Sequence, residues 1–169
     1  MKQRTRVKIC GITRADDALA AAAIGVDAIG LVFYKRSPRN VETEQAAAIC
    51  RQLPAFVTSV ALFLDADQAF VHEVLAKVPI DLLQFHGTED PAYCESFDKP
   101  YFYARGMGSF ILEGLISQSQ AYKTARGLLL DSHELGASGG TGETFDWNSI
   151  PVMNNPLSLA GGLTVSNVA

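Results

Sequence analysis

Val7-Lys8-Ile9-Cys10-Gly11-Ile12-Thr13, residues 7–13, leads through an alanine-rich stretch, Ala15 to Ile24, into Ala28-Ile29-Gly30-Leu31-Val32-Phe33-Tyr34. A short apolar run, a glycine turn, a helical pattern and a second apolar run make one strand-helix-strand unit. The cadence continues with strand-length runs at Ser59 to Leu64, Leu82 to His86, Tyr101 to Ala104, Gly127 to Asp131 and Leu157 to Ala160. Strands alternating with helices pair in parallel, in an open doubly wound sheet or in a closed barrel. Polar strand ends at Cys10, His86 and Asp131 favour the α/β barrel, where several strands deliver residues to one mouth. An open sheet would gather its site at a single switch point.

The intervening helices are expected at Ala15 to Ile24 behind Thr13, Glu44 to Leu53 behind Thr43, Gln68 to Val78 behind Asp65 and Asp67, and Pro91 to Phe97 behind Asp90. Each follows a side chain able to accept from free backbone N–H groups, and proline suits a first turn. Ile111 to Tyr122 reads as a further helix, and Asp146-Trp147-Asn148-Ser149-Ile150 as one short turn. Thr164-Val165-Ser166-Asn167-Val168-Ala169 resembles the cap and first turn of a seventh helix. The expectation is therefore a single domain over residues 1–169: a (β/α)8 barrel cut off after strand 7 and the start of helix 7, lacking the eighth βα unit. A C-terminal segment carrying that unit is an expected partner, because a barrel without it leaves unpaired strand edges and exposed apolar faces.

With 14 Lys+Arg spread among 18 Asp+Glu and a net charge of -4, the chain shows no electrostatic footprint for nucleic acid or an anionic membrane surface. The longest apolar stretch, Ala18 to Tyr34, is interrupted by Gly25, Asp27 and Gly30 and reads as helix, turn and strand rather than a membrane span. The basic start, Met1-Lys2-Gln3-Arg4-Thr5-Arg6, does not lead into the apolar core of a secretory signal. A cytoplasmic protein is expected. Cys10, Cys50 and Cys94 have no paired spacing that suggests a disulfide framework or a zinc site, so reduced thiols are the default. Cys50 and Cys94 fall in helical patterns, as small hydrophobes.

Cys10 stands apart by its position at a strand end. Lys8 shares its strand face by the period-2 rule, and a nearby ammonium favours thiolate. Gly11 lets a ligand approach the backbone closely. Asp131 ends an apolar run, where desolvation would keep it protonated. A thiolate and a carboxylic acid facing one mouth make a base and an acid for moving protons on a small substrate. Taken singly, Cys10 fits a buried inert thiol equally well, and Asp131 fits a turn cap. Lys35-Arg36-Ser37-Pro38-Arg39 is a basic cluster that follows the second strand, and a guanidinium there could clamp a carboxylate. Gly161-Gly162 follows the seventh strand, where such barrels often bind phosphate. The stretch Gly136 to Thr144 reads as a mobile loop or an anion cradle. Gln84 and His86 are candidate polar lining.

Together, Val7-Lys8-Ile9-Cys10-Gly11-Ile12-Thr13, Gly30-Leu31-Val32-Phe33-Tyr34 with Ser37-Pro38-Arg39, Leu83-Gln84-Phe85-His86-Gly87, Leu130-Asp131 with Gly139 to Trp147, and Ala160-Gly161-Gly162-Leu163 resemble the phosphoribosylanthranilate isomerase family. The resemblance implies a TIM barrel that performs the Amadori rearrangement of N-(5-phosphoribosyl)anthranilate in tryptophan biosynthesis, without metal or organic cofactor. It implies Asp131 as the general acid, Cys10 as the general base and Arg39 as the anthranilate-carboxylate ligand. Gly11, His86, Gly161 and Gly162 join Arg39 as candidate substrate contacts. The family's eighth strand carries an aspartate and a Ser-Ser-Gly segment that help form the phosphate site. Two other readings stand beside it: another sugar-phosphate isomerase, or a noncatalytic barrel fragment that binds a phosphorylated ligand.

Overall fold

The computed structural model describes residues 4–107, 112–132, 144–153 and 155–168. They form β1 (Lys8–Cys10), α1 (Ala15–Ala23), β2 (Ala28–Val32), α2 (Thr43–Cys50), β3 (Thr58–Phe63), α3 (Gln68–Lys77), β4 (Leu82–Phe85), α4 (Pro91–Glu95), β5 (Tyr101–Gly106), α5 (Leu112–Ala121), β6 (Leu128–Asp131), a single 3-10 turn (Trp147–Ser149) and β7 (Leu157–Ala160). All seven expected strands form, each within about two residues of its expected limits. The chain divides into two compact units, residues 1–84 and 85–169.

In the first unit β1, β2 and β3 are parallel neighbours, with Cys10 opposite Gly30 and Gly30 opposite Val60. Parallel strands covered on both faces need continuous apolar runs, and Ile29, Leu31, Val60, Ala61 and Phe63 are fully buried. Helix α1 docks through Ala18 and Ala21, α2 through Ala46, Ala47 and Ile49, and α3 through Val71 and Val74. Phe33, Phe63 and Phe70 form a ring cluster with centroids 5.4 to 6.4 Å apart.

The helix starts depart from expectation. Thr13, Thr43 and Asp67 accept no capping hydrogen bond through their side chains: Arg14 and Glu42 hold the cap positions of α1 and α2, and Asp67 holds that of α3 without a side-chain bond. Thr43 is instead the first residue of α2 and is buried, while the Thr13 carbonyl accepts from Gln45 Nε2 at 2.6 Å. Helix ends also come early. Gly25 (φ +88°) closes α1, with its N–H on the Ala22 carbonyl at 3.0 Å and that of Val26 on Ala21 at 3.3 Å, a Schellman pair. After Cys50 the chain tightens to i→i+3 bonds, Gln52 to Ile49 and Leu53 to Cys50, as the following Pro54 disfavours helical backbone before it.

In the second unit β5, β6 and β7 are parallel neighbours, with Gly106 opposite Asp131 and Asp131 opposite Ala160. Phe85, Tyr93, Phe97 and Tyr101 pack as an aromatic cluster. Here the expected cap holds: Asp90 Oδ1 accepts from Tyr93 N at 2.8 Å, with Pro91 in the first turn of α4. Asp146 likewise caps its short turn through Asn148 N at 3.0 Å. On β7, Leu157 and Leu159 are 37 and 38% exposed, and Leu163, Val165 and Val168 after it are exposed as well. Among the described residues no helix is long and apolar enough to cross a membrane.

Candidate active site

Cys10 is the last residue of β1. The two residues after it, Gly11 and Ile12, both donate to the Gly30 carbonyl, at 2.8 and 3.0 Å, and this turns the chain sharply at the strand end. Gly30 has no side chain, and the space where a Cβ would stand lies 2.7 Å from Cys10 Sγ and 3.1 Å from Lys8 Nζ. Lys8 and Cys10 therefore project over the same vacant face of β2, as strand alternation requires. Gly30 was not singled out from the sequence, although a glycine inside an apolar strand signals a close approach of this kind.

Arg39 joins this group. Its chain lies across Gly11, where a Cβ would stand 2.5 Å from Arg39 Cδ, and Nη1 donates to the Cys10 carbonyl at 3.3 Å. Gly11 meets two demands at once: φ is +87°, and a guanidinium stem occupies the space over it. Ser37 shapes the approach, its N–H on the Tyr34 carbonyl at 2.8 Å and its Oγ accepting from Arg39 N at 3.2 Å. Lys35 and Arg36 are exposed.

In the second unit His86 and Asp131 come together. His86 Nε2 stands 3.8 Å from Asp131 Oδ2, with the side chains 23 and 13% exposed. Asp131 is the last residue of β6, and its carbonyl accepts from Met107 N at 2.7 Å. Opposite it, Ala160 runs into Gly161 (φ +78°) and Gly162 (φ +62°). A side chain at Gly161 would collide with Ser132 Oγ, so buried Ser132 is seated under this turn. Asn167 Nδ2 donates to the Gly162 carbonyl at 3.0 Å, and its Oδ1 accepts from Thr164 N at 2.7 Å. Ser132 had no distinctive sequence signal. The candidate loop 136–144 lies outside the described residues except for Thr144.

Other features stand away from these groups. Cys50 and Cys94 are buried, and burial first, then nearby carboxylates, pushes their thiols up to about 11 and about 12. A cavity of about 520 Å³ opens where β3 begins and just before β4, lined among others by Cys50, Phe56, Ser59 and Asp81. That is the end of the strands opposite to Cys10. Its carboxylate is already engaged, Asp81 Oδ2 accepting from Ser59 N and Oγ at 2.8 Å each. Among the described residues no three His, Cys, Asp or Glu side chains cluster as metal ligands.

Residues 7–169 match the model of the N-(5'phosphoribosyl)anthranilate (PRA) isomerase family. The chain belongs to that family. The N-(5'-phosphoribosyl)anthranilate isomerase of Alcanivorax borkumensis is 56% identical over 165 residues, which are 97% of this chain and 75% of that one. The crystal structure of phosphoribosyl anthranilate isomerase from Thermus thermophilus superimposes with a TM-score of 0.82 at 33% identity, over 97% of this chain and 80% of that one. A further isomerase structure, solved with reduced 1-(o-carboxyphenylamino)-1-deoxyribulose 5-phosphate, matches with a TM-score of 0.77 at 31% identity, over 98% of this chain and 79% of that one. The α/β class expected from the strand-helix cadence is thus the TIM-barrel class of the PRA isomerases.

Proposed function

We propose that the chain converts N-(5'-phosphoribosyl)anthranilate to 1-(2-carboxyphenylamino)-1-deoxyribulose 5-phosphate in tryptophan biosynthesis, with Asp131 as general acid and Cys10 as general base. The observation that carries the reaction is the family match over residues 7–169. Support for the two residues comes from their placement as the terminal residues of β1 and β6, the rim where α/β barrels hold reacting groups.

The reaction is an internal redistribution of protons and needs no external oxidant. Asp131 gives a proton to the furanose ring oxygen, the bond from that oxygen to C1' breaks, and the anilino nitrogen supplies the electron pair that forms a Schiff base. Cys10 thiolate then takes the C2' proton, and the electrons of that bond move into the carbon-carbon bond as the nitrogen regains its lone pair. The enolamine formed tautomerises to the ketone. An acid and a base on two different strand ends suit two proton transfers, one to the ring oxygen on C1' and one from the adjacent C2'.

Arg39 is the ligand for the anthranilate carboxylate, since its guanidinium lies beside the Cys10-Gly11 backbone and can grip a carboxylate through two N–H groups. Gly11 keeps that approach open. His86 contacts the substrate beside Asp131, and the left-handed turn Gly161-Gly162 takes the phosphate through backbone N–H groups. The cytosol, where its thiols stay reduced, is the compartment assigned to the chain.

Loss of phosphoribosylanthranilate fluorescence on adding the protein tests this reading, and a soluble protein that leaves the substrate untouched overturns it. Cys10→Ala and Asp131→Ala should each lower kcat by about 10²-fold or more, the size of a general acid or base contribution. Both should leave the unfolding midpoint nearly unchanged. Either variant turning over at the wild-type rate removes that residue from its role.

A further inference from the structure

The three residues that follow His86 are held by two tyrosines from distant parts of the second unit. Tyr103 of β5 donates its hydroxyl to the Gly87 carbonyl at 2.8 Å, and Tyr122, just beyond α5, donates to the Glu89 carbonyl at 2.6 Å. Their rings stack with centroids 4.0 Å apart and planes 18° from parallel. Both are buried. Burial is the first cause that holds both phenols above their ordinary range, so both remain donors. The Glu89 carboxylate turns back to accept from Gly87 N at 2.8 Å. The segment is thus fastened at Gly87 N, Gly87 O and Glu89 O.

Helix α4 does not require these fastenings, because Asp90 and Pro91 already supply its first turn. They do fix the direction in which the chain leaves β4, and His86 is the residue at that exit. Asp131, the other member of the pair, is located independently by its pairing with Gly106 and Ala160 and by the Met107 N–H on its carbonyl. His86 Nε2 and Asp131 Oδ2 thus come within 3.8 Å from two separately anchored stretches of chain, and the Gly87–Glu89 segment anchors the His86 side. That separation exceeds a hydrogen bond by less than 1 Å, and such contacts at reacting groups tighten when substrate is bound.

We propose that Tyr103 and Tyr122 are positioning residues of the isomerase, their hydroxyls setting the place of His86 against the proton donor Asp131. The proposal rests on the assignment of Asp131 as the acid. An imidazole held at that distance is one restraint on the carboxyl group that must point its proton at the ring oxygen, and displacing the imidazole loosens that restraint.

Tyr103→Phe and Tyr122→Phe keep the rings and remove only the hydroxyls. Each should lower kcat about 5- to 20-fold with KM changed by less than about twofold, the pattern of a contribution made in the transition state. In a His86→Ala background the same substitutions should change kcat by less than about twofold, since the hydroxyls act through His86. Wild-type kcat in both variants, or losses that multiply in full with His86→Ala, overturn the proposal. A second readout does not need turnover: the His86 ring resonance in carbon-proton NMR spectra should shift in both variants while that of His72 stays in place. An unmoved His86 resonance also overturns the proposal. Failure of the isomerase reading looks different, as wild-type protein without turnover or an Asp131→Ala variant that retains it.

Discussion

Gly30→Ala is the substitution that separates a crowded reacting group from a merely buried one. Gly30 is opposite Cys10 in the sheet, its backbone is outside the left-handed region, and alanine there suffers no conformational penalty of its own. The added Cβ would stand 2.7 Å from Cys10 Sγ, 3.1 Å from Cys10 Cα and 3.1 Å from Lys8 Nζ. Ordinary carbon contacts lie at about 3.5–4.0 Å, so the sulfur must retreat by roughly 1 Å, and the backbone Cα cannot follow without distorting the sheet. Misplacing a reacting group by about 1 Å costs on the order of 10² in rate, and overpacking of this kind costs about 1–3 kcal/mol of stability. Steady-state kinetics should therefore show a fall in kcat of about 10²-fold, with slower alkylation of Cys10. Gly25→Ala is the control. It sits at φ +88° with nothing within 4 Å of the added methyl, so it should lose roughly 1 kcal/mol of stability and no activity. A Gly30→Ala protein that keeps full turnover would refute the placement of the thiol over Gly30 as a catalytic arrangement.

Arg39→Ala should raise KM more than it lowers kcat, because a carboxylate clamp remote from the proton transfers contributes mainly uniform binding, and Arg36→Ala should do much less; an equal or reversed ranking would move the clamp. At neutral pH iodoacetamide should modify Cys10 alone, since Cys50 and Cys94 are buried with thiols pushed up to about 11 and about 12, and mass mapping that finds rapid labelling of either would contradict the packing. Asp27 is held below its ordinary range by the Arg4 guanidinium and then by Val7 N. A carboxyl depressed in the folded state stabilises above its unfolded pKa, near 4, and loses that contribution as pH falls through the folded value. Asp27→Asn should flatten that acid slope in denaturant midpoints, and an unchanged slope would show that the pair contributes nothing.

Strands β2 to β6 were legible because parallel strands buried on both faces must be largely apolar, whereas β1 and β7 showed by the length and spacing of their runs, and a polar residue at the end of such a run has few structural reasons to be there. Cys10 and Asp131 stand out for that reason, as does Lys8 through strand alternation. Asp90 was legible as a cap because proline directly after it leaves little else for the local backbone to do. Thr13 and Thr43 misled for the complementary reason: a threonine near a helix start fits a cap by composition, and only tertiary contacts, the Gln45 amide on the Thr13 carbonyl and the burial of Thr43, decide otherwise.

What the sequence conceals has a common cause. Gly30 matters through a residue 20 positions earlier in the chain, brought opposite it by strand pairing. Ser132 matters through Gly161, and Tyr103 and Tyr122 matter through two carbonyls that carry no residue identity at all. The proposed acid and base announce themselves by their chemistry and their strand ends, whereas the groups proposed to make room for them or hold them in place are ordinary glycines and tyrosines whose purpose would lie in a distance. Substitutions at such supporting positions should therefore act on rate through geometry, sparing the binding of substrate parts far from the reacting carbons. Kinetics that separate kcat from KM distinguish the two groups of residues more sharply than sequence pattern can.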